Sequence, residues 1–286
     1  MSEMAPGRIA ELASWFERGE VLVLTGAGVS TRSGIPDYRG PGTRERARNP
    51  VQYREFRRSV DARRRYWARS FVGFPKIRGA RPNAAHRVLS RLAERGRLSG
   101  LVTQNVDGLH ARAEHPDHVE LHGTIREVIC LDCSAVASRD WLQRELSAKN
   151  GPAVLERVSA APDGDSDVEG ALLHDFVLVD CPACRGTLKP HVVFFGESVP
   201  KERVERAYDM LGAARSLVVV GSSLAVYSGF RFVRAASARG IPVAIVSIGP
   251  TRGDELATLK LDADVSDVLN GVSTALGGEA WSDDRD

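Results

Sequence analysis

Short apolar segments rich in β-forming residues recur along this chain, and each ends in glycine, serine or another small or polar residue. Such near-continuous apolar runs are typical of strands that are buried on both faces of a parallel sheet. We therefore predict four buried strands, at residues 21–24, 101–103, 217–220 and 243–246.

Segments in which apolar residues recur at helical spacing alternate with these strands. The N-terminal 20 residues show this spacing, Pro82 and Asn83 open a second helix, and residues 229–239 form another. Alternating strands and helices predict an α/β fold with a doubly wound parallel sheet. The second helix should bury one face, which consists of Ala85, Val88, Leu89 and Leu92.

Each predicted strand runs into a loop of small or polar residues. In open α/β sheets, ligands bind outside the carboxyl ends of the strands, so these loops should converge on one crevice. This convergence indicates a binding site more strongly than any single loop does. The loops lie at residues 26–30, 104–107, 221–223 and 247–249.

The chain has four cysteines, which form two C-x-x-C pairs, Cys130 with Cys133 and Cys181 with Cys184. Two such pairs complete the closed tetrahedral site that Zn²⁺ prefers, so we predict one structural zinc ion in a small module. Four thiolates leave zinc no open position, and the chemistry must therefore lie elsewhere. Disulfides and redox motifs are the alternatives; the lack of a signal-peptide pattern disfavours the former, and neither pair clearly opens a helix.

Length and charge narrow the classes of protein. A chain of 286 residues can bury a full core, and a net charge of +2 implies no bulk attraction to nucleic acid. No apolar run approaches the roughly 20 residues that span a bilayer. We expect a cytoplasmic protein without a membrane partner, and a charged, frayed C-terminus at residues 281–286.

Residues 44–69 are dense in arginine, with Phe56, Tyr66 and Trp67 interleaved. A nucleic-acid-binding face is one interpretation. We favour a helix with a solvated basic side, because the net charge shows no wider basic footprint. The arginines are Arg44, Arg46, Arg48, Arg54, Arg57, Arg58, Arg63, Arg64, Arg65 and Arg69.

The loop after the first strand reads Gly26-Ala27-Gly28-Val29-Ser30. Its glycines allow a backbone to approach a diphosphate, and the N-terminus of the following helix offers N–H donors. A tight strand-to-helix turn is the other interpretation. The dehydrogenase fingerprint fits poorly, because its third glycine and the acidic residue for the adenosine ribose are both absent.

Glycines and prolines interrupt regular structure over residues 34–42, which predicts a loop that orders over a ligand. On this loop, Asp37 and Arg39 can position a charged ligand, but a surface ion pair explains them equally well. Farther along, His122 follows a predicted strand and precedes Gly123. A neutral imidazole there suits a base near pH 7, although a partly buried structural histidine is the stronger interpretation for a lone residue.

Taken together, these motifs resemble the sirtuins, the NAD-dependent protein deacylases. Residues 225–232 and 248–252 look most like the class II sirtuins, which include the mitochondrial lipoamidase and ADP-ribosyltransferase type. The resemblance spans roughly residues 8–272 and rests on an ordered set of segments, namely 26–30, 34–39, 103–110, 121–123, the two cysteine pairs, 189–197 and 221–226.

The resemblance implies a Rossmann-like NAD-binding domain at residues 1–123 and 189–274, with a zinc-binding module at 124–188 between its two parts. The first part would carry a cofactor loop at about 34–50 and a helical insert at about 50–80. A charged tail would follow at residues 275–286.

The resemblance also implies roles for individual residues. His122 would be the general base, with Asn105 and Asp107 completing the catalytic set. The NAD-binding residues would be Gly26, Ala27, Gly28, Ser30, Pro36, Asp37, Tyr38, Arg39, Gln104, Asn105, Val106, Asp107, His122, Gly221, Ser222, Ser223, Ser247, Ile248, Gly249 and Val265. The substrate-binding residues would be Val192, Val193, Phe194, Phe195, Gly196, Glu197, Leu224 and Val226.

The implied reaction removes an acyl group from a lysine in a protein or peptide. The acyl oxygen would attack C1′ of the NAD ribose as nicotinamide leaves, and the acyl group would be transferred to ADP-ribose. The alternatives are a protein mono-ADP-ribosyltransferase on the same scaffold and a non-enzymatic NAD- or nucleic-acid-binding zinc module. Nucleic acid is not expected as a partner, and the acyl group and the oligomeric state stay open, a monomer included.

Overall fold

The computed structural model describes residues 6–37, 51–160 and 175–283. These residues form two compact units, each assembled from separated stretches of sequence. The sheet unit comprises residues 6–37, 80–121 and 199–283, and the cysteine unit comprises 51–79, 122–160 and 175–198. Among the described residues, no helix is both long enough and apolar enough to cross a bilayer.

Strands and helices alternate over most of the described chain. The strands are β1 (Val21–Thr25), β2 (Leu98–Thr103), β3 (His118–Glu120), β4 (Gly123–Cys130), β5 (Val136–Ser138), β6 (Leu188–Val192), β7 (Ser216–Val220), β8 (Val243–Val246) and β9 (Leu259–Leu261). The helices are α1 (Pro6–Arg18), α2 (Tyr53–Arg58), α3 (Val60–Gly79), α4 (Ala84–Glu94), α5 (Leu109–Arg112), α6 (Arg139–Ala160, kinked at Gly151), α7 (Lys201–Gly212), α8 (Tyr227–Ala238) and α9 (Val265–Ala275).

The sheet unit is built on a six-stranded parallel sheet with the order β3-β2-β1-β7-β8-β9. From the central neighbours β1 and β7, the chain adds strands toward one edge as β2 and β3 and toward the other edge as β8 and β9. The crevice at the carboxyl ends of β1 and β7 is therefore the topological switch point of a doubly wound sheet. The four strands predicted from apolar runs are β1, β2, β7 and β8, so the predicted α/β fold is confirmed.

Side chains of the central strands alternate between two apolar cores. On β1, Val21 and Val23 face the core that α1, α4 and α9 cover, whereas Leu22 and Leu24 face the core that α7 and α8 cover. Both faces of the sheet are buried, which explains why the sequences of these strands are unbroken apolar runs. Full burial of one such side chain contributes about 1.5–3 kcal/mol.

Helix α4 begins where the sequence predicts it. Asn83 is the N-cap, its Oδ1 accepts the backbone N–H of His86 at 3.4 Å, and its Nδ2 donates to Val29 O at 2.8 Å. The predicted apolar face is confirmed, because every residue of that face is buried: Ala85, Val88, Leu89 and Leu92.

The expectation of a frayed C-terminus is wrong for residues 281–283. The backbone of Trp281 exchanges two hydrogen bonds of 2.9 Å with the side-chain amide of Asn270. Asp283 accepts from Arg32 at 3.2 Å and from the backbone N–H of Ala84 at 3.0 Å. These contacts fix a polar segment that composition alone would leave in solvent.

The cysteine unit contains a three-stranded antiparallel sheet with the order β5-β4-β6. Its apolar core includes aromatic residues of α2 and α3. Arg139, at the start of α6, is fully buried: Nη2 donates to Ser70 O and Oγ at 3.2 Å, and the guanidinium lies 4.3 Å from the ring centre of Phe74. Burial lowers the pKa of Arg139 to about 10.

Four histidines lie side by side in the sheet unit, with ring centroids 4.8 Å apart for His86 and His110, 6.2 Å for His110 and His115, and 5.9 Å for His115 and His118. His110 Nε2 shares a 3.0 Å hydrogen bond with Thr25 Oγ1 at the end of β1. Burial lowers the pKa of His86 to about 3 and that of His115 to about 4, and it also lowers the pKa of His110. The folded protein therefore holds the imidazoles of His86, His110 and His115 neutral.

We predict that acid destabilises the protein below about pH 6.5, the ordinary pKa of histidine. Because the folded-state pKa of His86, His110 and His115 is lowered, the unfolded chain binds more protons between the two values, and stability falls as the pH falls. Three such groups together cost about 4 kcal/mol per pH unit in this window. Urea unfolding at a series of pH values measures the slope.

The variant His86→Gln should reduce the slope of unfolding free energy against pH by the contribution of one titrating group, about 1.4 kcal/mol per pH unit. Asn83→Ala is the matched control, because it breaks the same helix cap without removing an ionisable group. An equal slope in the parent and in His86→Gln would contradict the assignment of the acid sensitivity to these histidines.

Candidate functional site

The loops that follow β1 and β7 contact each other backbone to backbone. Gly26 N–H donates to Val220 O at 3.0 Å, and Gly28 N–H donates to Gly221 O at 2.8 Å. A Cβ on Gly26 would lie 2.6 Å from Ser222 Cβ, and one on Gly28 would lie 2.9 Å from Gly221 Cα. The glycines of the first loop are therefore needed for its contact with the second loop.

The helix that follows this glycine turn is a 3₁₀ helix, Ala27–Ser33, and the carbonyl groups of the neighbouring loop take up the N–H groups of Gly26 and Gly28. The free N–H groups expected from an ordinary helix N-terminus are thus partly used within the protein. Between them, the backbone N–H of Ala27 takes part in neither of these two hydrogen bonds.

Three predicted site residues form one polar network, in which Ser30 and Asp107 are buried and Asn105 is half-buried. Ser30 Oγ donates to Asp107 Oδ2 at 2.8 Å, and Asn105 Nδ2 donates to Ser30 Oγ at 3.0 Å and to Gly26 O at 3.1 Å. The other oxygen of Asp107 accepts the N–H of Leu109 at 2.9 Å. The network joins the loop after β2 to the loop after β1 and fixes the orientation of the Asn105 and Asp107 side chains.

Gln104 joins the loop after β2 to the loop after β7. Its Nε2 donates to Ser222 Oγ at 2.8 Å and to Thr25 O at 3.3 Å. A Cβ on Gly229 would lie 2.3 Å from Gln104 Oε1, so α8 approaches this amide closely. The structure thus brings three of the four predicted loops together at the switch point. Val106 lies in the same segment as Gln104 and is half-buried.

The fourth predicted loop follows β8. Ser247 N–H donates to Leu261 O at 3.2 Å, and Gly249 has a φ of +75° and donates to Asp262 Oδ1 at 2.9 Å. Between them, Ile248 is exposed. Val246 O, the last carbonyl of β8, accepts from Gly221 N–H at 2.8 Å, which connects this loop to the one after β7.

The remaining predicted residues of the sheet unit are placed as follows. Pro36 and Asp37 end the described stretch after the 3₁₀ helix, whereas Tyr38 and Arg39 lie outside the described residues. Three further predicted residues precede α8. Ser223 is half-buried and its carbonyl accepts the backbone N–H of Arg252, Leu224 is buried with a φ of +56°, and Val226 is the partly exposed N-cap of the helix. Val265 is buried at the start of α9.

In the cysteine unit, His122 lies beside the predicted substrate segment. Its carbonyl accepts the N–H of Val193 at 2.8 Å, and the next residue, Gly123, pairs with Val192 across β4 and β6. The side chain of His122 is half-buried, and the ring of Phe195 is exposed. A half-buried imidazole and an exposed aromatic ring thus occupy the same part of this unit.

A buried lysine that the sequence analysis did not assign to the site shapes the turn after β6. Lys189 Nζ donates to Val192 O at 2.5 Å and to Glu197 Oε2 at 3.0 Å, and its side chain is 5% exposed. The same oxygen of Glu197 accepts the N–H of Phe194 at 2.8 Å, and Gly196 supplies a φ of +78°. The carboxylate of Glu197 is therefore used within the protein to hold this turn.

The four cysteine sulfurs gather at one point of the cysteine unit, all within 4.8 Å of one another. Cys130 Sγ lies 3.5 Å from Cys184 Sγ, and Cys133 Sγ lies 3.7 Å from Cys181 Sγ. Zn–S bonds of about 2.3 Å in a tetrahedron place sulfurs about 3.8 Å apart, so the cluster fits one structural zinc ion. All four thiols are free of disulfide bonds.

Hydrogen bonding makes the thiols of this cluster unequal. The backbone N–H of Cys184 stabilises the thiolate of Cys181 and lowers its pKa to about 7, whereas hydrogen bonding with Cys133 raises the pKa of Cys184 to about 12. Thiols this close to one another share protons, and a bound divalent cation removes that need because all of its cysteine ligands are thiolates.

We predict that Gly221→Ala destabilises the sheet unit by more than about 2 kcal/mol, since a non-glycine residue in a left-handed conformation costs about 1–3 kcal/mol before any clash. Its φ is +63°, and an added Cβ would lie 2.5 Å from Val29 N. Gly212→Ala at the end of α7 is the control, because its Cβ meets nothing within 4 Å. Urea unfolding compares the two; equal stabilities would contradict the prediction.

We predict that Cys130→Ser prevents stoichiometric zinc binding and unfolds the cysteine unit, because loss of one thiolate opens a closed site. Metal analysis and circular dichroism measure the two effects. Ala183→Ser, at an exposed position between the second pair of ligands, is the control and should retain one zinc ion. A fully folded, zinc-free Cys130→Ser protein would show that the metal is dispensable.

Comparison with known proteins places these features in a family. The sequence profile of the Sir2 family matches residues 26–228. NAD-dependent protein deacetylase 1 of Streptomyces coelicolor is 45% identical over 278 residues, which cover 96% of this chain and 93% of that protein. NAD-dependent protein deacetylase of Bordetella bronchiseptica is 48% identical over 249 residues, which cover 87% of this chain and 91% of that protein.

Solved structures agree with the sequence matches. A structure of Sir2 with a p53 peptide and NAD+ has a TM-score of 0.76 at 29% identity and covers 93% of this chain and 98% of that chain. Sir2Tm bound to a propionylated peptide has a TM-score of 0.74 at 27% identity, with 94% and 99% covered. The class II likeness stays a prediction, but the profile match and the extensive identity establish that the chain belongs to the Sir2 family, the sirtuins.

Proposed function

We propose that this protein is an NAD-dependent protein-lysine deacylase. The observation that carries the proposal is the network of Ser30, Asn105 and Asp107 at the switch point of the parallel sheet. Dinucleotides bind at this position in doubly wound folds, where loops at the carboxyl ends of the strands enclose them. Relatives that are 45% and 48% identical are named NAD-dependent protein deacetylases, which supports the same activity here.

The donor and acceptor groups at the switch point fit NAD, a ligand with a diphosphate, ribose hydroxyls and a carboxamide. The backbone N–H of Ala27 would bind the diphosphate, and Gly26, Gly28 and Ser30 would form the turn that lies against it. Gln104, Asn105, Val106 and Asp107 would hold the nicotinamide and its ribose, their side chains oriented by the hydrogen bonds described above. The adenosine half would contact Gly221, Ser222, Ser223, Ser247, Ile248, Gly249 and Val265.

NAD, when bound, supplies a ribose carbon that accepts the acyl oxygen of the substrate as nicotinamide leaves. The protein's own contribution is to hold that sugar and to exclude water from it. Pro36, Asp37, Tyr38 and Arg39 belong to the segment that would cover the cofactor.

His122 would act as the general base that takes a proton from the ribose hydroxyls, so that the acyl group ends on ADP-ribose. Neutral imidazole suits this step near pH 7. The hydrogen bond from Val193 N–H to the carbonyl of His122 holds the backbone of this residue in place. Asn105 and Asp107 would assist by fixing the sugar that His122 deprotonates.

The substrate would be an acylated lysine in an extended segment of protein or peptide. Backbone pairing along residues 192–197 gives affinity with little sequence selection, and Leu224 and Val226 would add apolar contacts. The Lys189–Glu197 pair fixes the shape of this turn before any substrate binds. Transfer of ADP-ribose to protein is the alternative outcome, and its product differs in mass. A cytoplasmic location stays a prediction.

We predict that His122→Ala lowers the rate of deacylation by at least about 10²-fold, the lower range for removal of a general base. NAD affinity should change little, because the polar network that would bind the sugar is intact. Mass spectrometry of the products from acyl-lysine peptides measures the rate and identifies O-acyl-ADP-ribose, and calorimetry measures NAD binding.

His118→Ala is the control for this variant, because it removes instead the half-buried imidazole that lies beside His115 in the sheet unit. Turnover by His122→Ala equal to that of the parent would refute the assignment of the base. ADP-ribose attached covalently to protein, with no acylated ADP-ribose in solution, would identify the transferase instead.

A further inference from the structure

Helix α2 presents a basic face to solvent. Arg54, Arg57 and Arg58 are exposed and share one side of the helix, since residues three and four positions apart are neighbours on a helix surface. Phe56 points the opposite way and is fully buried. Phe56 and, in part, Tyr53 anchor the helix in the apolar core, and the three arginines of α2 face outward as a group, called here the basic face.

Backbone and ring contacts fasten helix α2 to the turn after β6. Tyr53 N–H donates to Phe195 O at 2.9 Å, and Gln52 and Phe195 form a parallel β-bridge. The ring of Phe56 meets that of Phe194 edge to face, with centroids 5.1 Å apart. The basic face thus begins one residue after a direct backbone contact with the exposed Phe195.

Carboxylates near the basic face are already paired with other cations. Glu55 accepts from Arg65 at 2.5 Å. Asp61 accepts from Arg64 at 3.3 Å, and Glu197 is held by Lys189. Within the described stretches of the chain, no carboxylate pairs with an arginine of the basic face, so its charge stays available to a partner.

We propose that the basic face selects acyl-lysine segments that carry acidic residues beside the modified lysine. This inference rests on the proposed deacylase function and names its substrate class. An extended segment that pairs with the turn at Phe195 runs past the start of α2, where an aspartate or glutamate meets the guanidinium groups.

The size of the basic face favours a short acidic peptide segment over a polynucleotide. Six residues of helix span about 9 Å, the length of about three residues of extended chain. Two arginines of α3, Arg64 and Arg65, are paired with carboxylates, and Arg63 donates to the carbonyl groups of Phe56 and Arg57, so the unpaired positive charge stays close to α2. Polynucleotide binding requires a wider basic footprint, and the chain's net charge is only +2.

The test uses two sets of three acyl-lysine peptides. Within each set the peptides differ only in their flanking pair, which is two aspartates, two asparagines or two lysines; the pair lies on the N-terminal side of the acyl-lysine in one set and on its C-terminal side in the other. Steady-state deacylation with saturating NAD measures kcat/KM for each peptide at low and high salt. At low salt, in one of the two sets, we expect kcat/KM for the aspartate-flanked peptide to exceed that for the lysine-flanked peptide by about 10-fold, because each exposed ion pair contributes about twofold to fivefold. Salt should shrink the ratio.

The triple variant Arg54→Gln, Arg57→Gln, Arg58→Gln should bring this ratio close to one. A charge-matched control replaces Arg95, Arg234 and Arg239, exposed arginines of the sheet unit, with glutamine and should keep the ratio of the parent. Circular dichroism and a thermal transition verify that both triple variants fold. Fluorescence anisotropy of the labelled peptides provides a binding readout that does not depend on turnover.

The outcomes separate this inference from the deacylase proposal. No turnover of the asparagine-flanked peptide by the parent would overturn the deacylase function itself. Turnover of that peptide with equal kcat/KM for acidic and lysine flanks on both sides would overturn only the role of the basic face. Tight binding of a single-stranded oligonucleotide that is lost in the triple variant, with no preference among peptides, would assign the face to nucleic acid and refute the proposal.

Discussion

The contact between the glycine turn after β1 and the turn at Gly221 after β7 is the constraint on which the candidate site depends. Two backbones approach so closely that a single methyl group at Gly26, Gly28 or Gly221 would collide with the opposite turn. The two turns in contact form the floor of the switch point at the carboxyl ends of β1 and β7. It also brings Ser222 within reach of Gln104, and Ser30 within reach of Asn105. The polar network is thus a consequence of backbone packing.

The cysteine unit is held together in a different way, because its sheet has only three strands. Two buried cations lie beside its apolar core. Lys189 ties the turn after β6 to Glu197, and Arg139 lies against aromatic rings between α3 and α6. The four thiols add a metal site at the far end of β4. Removal of one partner from such buried charges is costly, since the other is left uncompensated.

The sequence predicts the sheet and the metal cluster well, because each has a local signature. Unbroken apolar runs identify β1, β7 and β8, and the fixed spacing of the cysteines identifies their cluster. It does not reveal Lys189 or Arg139 as buried, since a charged residue usually indicates solvent and their partners lie on distant segments. The row of histidines was missed for the same reason. The docking of Trp281 on Asn270 depends on a tertiary contact that no local pattern encodes.

The division of the chain has a consequence for how the protein is made. The cysteine unit takes its helices α2 and α3 from residues 51–79, but the strand and turn that cover Phe56 come from residues 188–195. During synthesis, the aromatic side of these helices therefore waits for more than a hundred further residues before its partners leave the ribosome. Long-range closure of this kind is slow and leaves apolar surface exposed, so a chaperone that covers the aromatic side of α2 and α3 would protect the nascent chain until that closure.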